Sequence, residues 1–394
     1  MRDTSFNRIL FKKKSLMLHK RIQLCYILLL SIATLGHAQE QDAYFYHSYE
    51  YGSQALVHPL ALILHGGYGI LAMENRPNNI LDFPYAAGWD NVRYNLSHPL
   101  TAIKSYGWKD FITSEIVPFS VNSKRAQYWP NYTMHLLGGG MSSRMMSEWF
   151  EQHQIPHPRL CAVATMTAYH LLNEVVENGD FKGYNVDPIA DLYIFDPLSI
   201  VLFSNDNVAH FFSRTLHFSD WSYQLALDPW RGAIVNNGQN FSVKWRLPRS
   251  EKWHLFYNYG NHGELGLSCK LDQERSISFG AGLVAKNLVD IAGDDASTLR
   301  RLTTNLVTTA GIFYDRNQSL LASVLYAGKL EEYLRINLYP GFIRFGRFSP
   351  GLFLMLDRHK EWTMGIHWQH ALVGLAWASR DRQVDRVEPK QNGG

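Results

Sequence analysis

Two histidines and several carboxylates in the middle of the chain have residue types and spacing suited to metal binding or acid–base chemistry. His170, Glu174 and Glu177 stand at positions i, i+4 and i+7 of a stretch with helical periodicity, so their side chains share one helix face. His135 precedes this stretch and Asp191 follows it. Imidazoles and carboxylates that converge can bind a divalent cation or act as a general acid–base pair. All five residues are metal candidates, and the catalytic candidates are His135, His170 and Glu174.

The same spacing also has a structural interpretation. A histidine and a glutamate four residues apart can stabilise a helix as a side-chain pair, and this helix contains no H-E-x-x-H or E-x-x-H signature. The glycines 138–140 after His135 could cradle an anion at a helix N-terminus, although close helix packing is the favoured interpretation. The chain has neither a Walker motif nor a G-x-S-x-G elbow. No cofactor is therefore assigned, and whether the protein is an enzyme stays open.

The candidate residues lie in a region, 131–215, that is predicted to be helical. Apolar residues recur at helical spacing over 141–153. A second helix is predicted over 159–179, where Asn178-Gly179 forms a typical C-terminal signal. The preceding region, 39–130, is predicted to be loop-rich because proline, glycine and asparagine interrupt it.

From residue 240 the hydrophobic period changes to two. In the run FSVKWRL, 241–247, apolar residues alternate with polar ones, as in a β-strand with two different faces. Further runs lie at 253–259, 264–271, 276–283, 301–314, 318–327, 333–339, 341–347, 351–356, 362–369 and 371–378. We expect an antiparallel meander of eight to ten strands over 240–378, followed by a polar tail over 379–394.

Such alternation fits either a soluble sandwich or an outer-membrane barrel, whose apolar face meets lipid. The barrel is favoured because the polar positions are rich in glycine, serine and threonine, as a narrow lumen requires. Aromatic residues also recur near the ends of the runs, as in the girdles at membrane interfaces. They are Trp245, Trp253, Tyr259, Tyr314, Tyr326, Tyr339, Trp362, Trp368 and Trp377.

The N-terminus has the layout of a secretory signal peptide. Basic residues between 12 and 21 precede an apolar run at 22–35. Gly36 and Ala38 supply small residues at the −3 and −1 positions of a cleavage site. The apolar run is shorter than the roughly 20 residues of a spanning helix. Residues 1–38 are therefore predicted to be cleaved, and the mature protein is expected to begin at or near Gln39.

Parts of the region 89–203 resemble known bacterial envelope families. The stretch WDNVRYNLSHPL at 89–100, Ser114-Glu115, Asn173-Glu174 and DPIADL at 187–192 resemble a family described only as a domain of unknown function, the DUF3943 type. The order His135, Glu174, Glu177 and Asp191 is similar to the polar spacing of VanZ-like membrane proteins. Both resemblances imply a location in the cell envelope and leave the activity unassigned.

Together these patterns predict an α+β protein with a helical region before a mostly antiparallel, outer-membrane-type barrel. The net charge is only +3, which gives no broad electrostatic footprint for nucleic acid. The expected partner is outer-membrane lipid, with a small-molecule or lipid ligand as a further candidate. The expected function is structural or transport-related in the outer membrane. The alternative is an envelope enzyme, a hydrolase acting on lipid or cell-wall material through the histidine–glutamate cluster.

Overall fold

The computed structural model shows a helical region followed by one large, mostly antiparallel sheet. The α+β class predicted from the sequence is therefore confirmed. The predicted signal peptide, 1–38, lies outside the residues that the structure describes, as does the polar tail beyond residue 379. The described residues are 43–74, 76, 78–117, 131–179, 186–292, 300–346, 348–369 and 371–379.

The helical region consists of α-helices joined by short 3₁₀ and π-helical segments. The α-helices are α1 (Pro59–Gly67), α2 (Tyr85–Ser97), α3 (Pro99–Tyr106), α4 (Trp108–Phe111), α5 (Gly139–Gln152), α6 (Pro158–Glu177), α7 (Asp187–Ala190), α8 (Asp196–Phe203) and α9 (Asp206–His210). The π-helical segments are Ile112–Ile116, Asn131–Gly138, Asp191–Phe195 and Phe211–Thr215, and the 3₁₀ segments are Ser53–Leu56 and Gly69–Ala72.

The prediction that 39–130 is loop-rich was wrong, because α1 to α4 lie in it. Of the prolines taken as interruptions, Pro84 and Pro99 stand at helix starts instead, and Pro118 lies outside the described residues. Pro59 and Pro99 are the first residues of α1 and α3, where the missing N–H of proline has no helical partner to lose. Pro84 is the N-cap residue of α2.

None of the described helices is both long and apolar enough to cross a membrane.

Among the described residues the sheet has thirteen strands, of which ten lie in the region where the sequence predicts eight to ten. Its order is β1-β4-β5-β6-β7-β8-β9-β10-β11-β12-β13-β2-β3. The strands are β1 (Ser219–Asp220), β2 (Ala226–Asp228), β3 (Ala233–Val235), β4 (Asn240–Arg246), β5 (Trp253–Gly260), β6 (His262–Lys270), β7 (Arg275–Ala292), β8 (Arg300–Arg316), β9 (Ser319–Tyr326), β10 (Glu332–Leu338), β11 (Pro350–Asp357), β12 (Trp362–Trp368) and β13 (Gly374–Ala378). The strand predicted over 341–347 was wrong, because Phe345 makes only an isolated bridge to Phe348. Pro340 and Gly341, with a positive φ of 91°, begin a turn there.

The sheet curls but does not close into a barrel. β1 pairs with β4 at one end, and β2 pairs with β13 near the other. Only residues 221–225 separate β1 from β2. Because an extended chain of that length reaches at most roughly 20 Å, the two ends of the sheet lie within that distance of each other. No ladder among the described residues joins the two ends of the sheet.

The two faces of the sheet have opposite character. Across ten strands, the paired residues of one register form a row that is apolar throughout and at least partly exposed to solvent. This outer row comprises Trp245, Leu255, Leu267, Phe279, Ile312, Val324, Ile336, Leu354, Met364 and Trp377.

The neighbouring register forms an inner row that is buried throughout and is rich in small and polar residues. It comprises His254, Ser268, Ser278, Phe313, Ser323, Asn337, Phe353, Gly365 and Ala376. The concave side of the sheet is therefore the more polar side, and the convex side is apolar.

The interior of the curl is filled by the segment 221–225. The Trp221 ring packs against Phe256 and Phe313 at centroid distances of 5.7 and 5.5 Å. Its indole nitrogen donates to the carbonyl of Gln318 at 2.8 Å. Gln224, fully buried, donates to the carbonyls of residues 338 and 352 on β10 and β11 at 3.1 and 3.0 Å. This segment therefore acts as a packed plug inside the sheet.

Candidate functional site

His135 is positioned by a π-helical segment that continues directly into α5. Such segments occur often at functional sites because the extra residue redirects side chains. The glycines after His135 allow close packing, which was the favoured interpretation of their sequence. A Cβ at Gly138 would lie 2.5 Å from the Phe241 ring, and one at Gly140 would lie 2.2 Å from the Phe203 ring.

The helix α6 presents His170 and Glu174 to the same region. Both are buried, with 2% and 0% exposure. Neither ring nitrogen of His170 and neither carboxyl oxygen of Glu174 makes a hydrogen bond. A buried polar atom without a hydrogen bond costs about 1–3 kcal/mol, and in His170 both ring nitrogens are in this state.

Asp191 and Asp196 complete the group from the π-helical segment before α8 and from the first residue of α8. Asp196 Oδ1 lies 3.0 Å from Nδ1 of His135 and 3.3 Å from Nδ1 of His170. Asp191 Oδ2 lies 3.3 Å from the other ring nitrogen of His135, Nε2. We call His135, His170, Glu174, Asp191 and Asp196 the acid–histidine centre.

The centre contains two overlapping sets of potential ligands. His135, His170 and Asp196 form one set, and His135, Glu174 and Asp191 form the other. Within each set, one potential ligand atom per residue lies within 4.8 Å of the others. All five residues are buried.

Further carboxylates adjoin the centre. Glu115 and Asp187 are buried, and their side chains interact with each other. Ser114 donates to Glu115 at 2.7 Å. Glu177 is half-buried at the end of α6, where its backbone carbonyl accepts a hydrogen bond from Arg76 at 3.4 Å.

Burial and mutual repulsion keep these carboxyl groups from ionising at their usual pH. Burial, and then Asp187, raise the pKa of Glu174 and that of Asp191 well above their usual values. Burial and Glu115 raise the pKa of Asp187 in the same way. Burial and Asp187 also raise the pKa of Glu177 to about 7. A hydrogen bond between the carboxyl groups of Glu174 and Asp191 would require that one of them be protonated.

The two imidazoles differ in their response to the same surroundings. Burial lowers the pKa of His170 to about 4, although Asp196 opposes the shift. Burial acts to lower the pKa of His135 as well, but Asp196 and the neighbouring carboxylates outweigh it and raise that pKa overall. His135 is therefore the group that can carry a proton between Asp191 and Asp196, whereas His170 stays neutral and can donate a lone pair.

Four of the five metal candidates from the sequence, His135, His170, Glu174 and Asp191, converge in this centre. Glu177 belongs to neither ligand set. Asp196 follows Asp191 in the sequence and Glu115 belongs to the resemblance, but neither was among the five metal candidates. An available signal was the repeated Asp-Pro pair, at 187–188 and 196–197, which starts two short helices around the same cluster.

Tyr169 connects the centre to the sheet. Its ring stacks on His170 with a centroid distance of 4.1 Å. Its hydroxyl donates to Oε1 of Gln239, just before β4, at 2.6 Å. The position of His170 therefore depends on contact with the start of the sheet.

No family model matches this chain, and neither the curated proteins nor the solved structures contain a match to it. The resemblance to the DUF3943 type and to VanZ-like proteins therefore stays a prediction. The residues that carry the two resemblances lie in α2, α3, α6, α7 and the π-helical segments. In α2, Asn95 donates to Asn91 at 2.8 Å, so part of that stretch serves helix packing.

Proposed function

We propose that this protein is an exported outer-membrane protein in which the curled sheet is embedded in lipid as a barrel-like structure and serves a structural role. The observation that carries the proposal is the outer row, an apolar surface that crosses ten paired strands without a charged residue.

This surface is the reverse of what a sheet in water presents. An antiparallel sheet with one solvated face places its apolar residues on the core side and its polar residues outside. Here Phe279 is 46% exposed while its neighbour Ser278 is fully buried. Contiguous exposed apolar surface of this extent is a feature of interaction or membrane surfaces, and apolar-out, polar-in alternation is the pattern of a transmembrane barrel.

The edges of the outer row support the same orientation. The turn between β6 and β7 carries an ion pair of Arg275 with Asp272, and Arg316 pairs nearby with Glu274. Exposed aromatic residues, including Trp253 and Trp245, lie close to strand ends. A charged rim next to aromatic residues is what the interface between lipid and water favours.

In a membrane, the backbone N–H and C=O groups at the ends of the sheet must also be hydrogen-bonded, because unpaired strand edges do not face lipid. The segment 219–240 contributes strands to both ends of the sheet. We expect it to seal the gap in the bilayer, which would complete a barrel-like enclosure.

A structural role is favoured over an open channel because the plug 221–225 fills the described interior. Trp221 and Tyr339 are each no more than 1% exposed, and the Tyr339 hydroxyl donates to the carbonyl of Ser222 at 2.9 Å. Transport of solutes would require this packing to open.

Membrane fractionation combined with a heat-modifiability gel tests the proposal. We expect the full chain in the outer-membrane fraction, resistant to alkaline extraction, with an unheated form that migrates differently from the heated one. N-terminal sequencing of that material should begin at or near Gln39. Recovery of folded protein in the detergent-free soluble fraction would contradict the membrane proposal, and an intact Met1 would contradict cleavage.

The second candidate function is an envelope hydrolase that acts on lipid or cell-wall material. The observation in its favour is the convergence of His135, His170 and Glu174, the three residues that the enzymatic interpretation requires. Their burial means that a substrate would need an opening to reach them. Hydrolysis of lipid or peptidoglycan by the purified protein, lost in His170→Gln, would establish this function.

A further inference from the structure

The acid–histidine centre combines an excess of buried carboxylates with a buried histidine that has no hydrogen bond. His170 is 2% exposed, and its ring faces His135 at a centroid distance of 5.1 Å. A side chain of this kind points to a missing ligand, because buried polar groups in native proteins are almost always paired.

A proton alone leaves much of the centre unexplained. A protonated His135 would bridge Asp191 and Asp196 through its two nitrogens, which lie 3.3 and 3.0 Å from them. That arrangement would still leave both ring nitrogens of His170 without a hydrogen bond. A cation would satisfy His170 and would offset the repulsion among the carboxylates.

The geometry points to a single divalent transition-metal ion bound by His135, His170 and Asp196, with Asp191 as a positioning residue for His135. This inference does not depend on the membrane proposal, since the centre lies among the helices.

The distances around Asp196 favour this set. Metal–ligand bonds of about 2.0–2.1 Å place neighbouring donor atoms of a tetrahedral site roughly 3.3 Å apart. Asp196 Oδ1 lies 3.0 and 3.3 Å from Nδ1 of the two histidines. Two imidazoles and one carboxylate suit zinc and the neighbouring transition metals. Three protein ligands also leave a fourth position open, as in catalytic zinc sites.

Asp191 is in place to act on the metal through His135. Its carboxylate lies 3.3 Å from Nε2, the nitrogen that faces away from Asp196. A metal-bound histidine commonly donates its other N–H to a carboxylate, which fixes the tautomer and the orientation of the ring. The alternative set, in which Glu174 and Asp191 bind the metal with His135, would reverse the roles of Asp191 and Asp196.

Reconstitution of the purified full-length protein with Zn²⁺ or Co²⁺ tests the site. The protein carries no histidine tag, is dialysed against chelator, is loaded with one metal and is freed of excess ion. Metal content is measured by elemental analysis, and the visible spectrum of the Co²⁺ form reports its coordination. The variants are His170→Gln, Asp191→Asn and Glu174→Gln, with the exposed His210→Gln as the matched control.

Stoichiometric metal is expected in the wild type, in Glu174→Gln and in His210→Gln, and none is expected in His170→Gln. Asp191→Asn should keep the site but weaken metal affinity about 10–100-fold, the usual effect of losing such a carboxylate. Chelator should lower the melting temperature of the wild type and leave that of His170→Gln unchanged, which separates loss of metal from loss of folding.

Folded wild-type protein that takes up neither ion would overturn the inference. Retention of metal in His170→Gln together with its loss in Glu174→Gln would overturn the ligand set in favour of the alternative one. A protein that is found in the membrane but binds no metal would contradict this inference and leave the membrane proposal intact. A soluble protein that binds the metal would contradict the membrane proposal and support this inference.

Discussion

The sheet and the helical region both bury charged residues, but the charges of the acid–histidine centre are not balanced as those of the buried ion pair in the sheet are. Inside the sheet, the Lys244 ammonium pairs with the Asp315 carboxylate, and both are buried. Glu264 accepts hydrogen bonds from Asn258 at 2.7 Å and from Thr309 at 3.2 Å. These buried groups of the sheet thus have partners on other strands.

The helical region instead gathers carboxylates around two imidazoles. The buried acids around these imidazoles are Glu115, Glu174, Asp187, Asp191 and Asp196, whereas Glu148 pairs with Arg144 elsewhere in the region. The difference indicates separate roles for the two regions. Balanced charges specify how strands pack, whereas an unbalanced group is stable only when protons or a cation neutralise it.

Breaking the balanced pair in the sheet should have the largest effect. Lys244→Met leaves the Asp315 carboxylate buried and uncompensated, which costs about 3–5 kcal/mol. We expect a lower midpoint for the heat-modifiability transition. The double variant Lys244→Met/Asp315→Leu should recover most of the loss, and a double variant as unstable as the single one would contradict this role for the pair.

A charge on the outer row should have the next largest effect. On the membrane proposal, Phe279→Arg would place a cation in lipid at a cost of roughly 2–4 kcal/mol near the bilayer midplane, so the assembled, heat-modifiable fraction should fall. Leu271→Arg is the matched control, because Leu271 is exposed but lies beyond the end of β6, next to charged residues. If the sheet were in water, both changes would alter stability by only about 0.5 kcal/mol.

Crowding at Tyr169 should have an intermediate effect on the helical region. A Cβ at Gly66 in α1 would lie 2.0 Å from the Tyr169 ring, so Gly66→Ala should destabilise the protein by about 1–3 kcal/mol. It should also weaken metal binding, because Tyr169 stacks on His170. Gly69→Ala, where nothing lies within 4 Å of the added carbon, provides the control for thermal unfolding and metal uptake.

The smallest expected effect has the opposite sign. In the metal-free protein, Glu174→Gln removes one carboxylate from an unbalanced group and should stabilise the fold by roughly 1 kcal/mol. Thermal melts in the presence of chelator at mildly alkaline pH would measure it. A lower melting temperature would show that Glu174 has a stabilising partner and that the two regions do not differ in the way described.

The strands were predictable from the sequence because each of their faces has one consistent environment. Leu255 and Leu267 alternate with His254 and Ser268, and a shift of one residue would exchange the two faces. The open ends of the sheet could not be predicted in this way. They depend on parallel pairing of β2 with β13, across about 150 residues of chain.

The candidate site was predictable only along a single helix. His170 and Glu174 share a face of α6, which periodicity reveals. The contribution of Asp196 depends on how α8 packs beside the Asn131–Gly138 segment, and no local pattern records that arrangement. Pro84 and Pro99 misled for a related reason, because a proline that starts a helix and one that interrupts it look alike until the neighbouring elements are known.

The plug also has a consequence for the order of assembly. The hydrogen bonds of Gln224 to the carbonyls of residues 338 and 352 span 114 and 128 residues of sequence. Contacts of such long range form only after the entropy of closing the intervening chain has been overcome. Strands β2 to β9 lie between Gln224 and both partners in the chain, and we expect the antiparallel strands from β4 onward to pair locally before they wrap around the plug. Packing of the plug would then be the slow step of folding, and a stalled intermediate would expose the polar inner row before the curled sheet is complete.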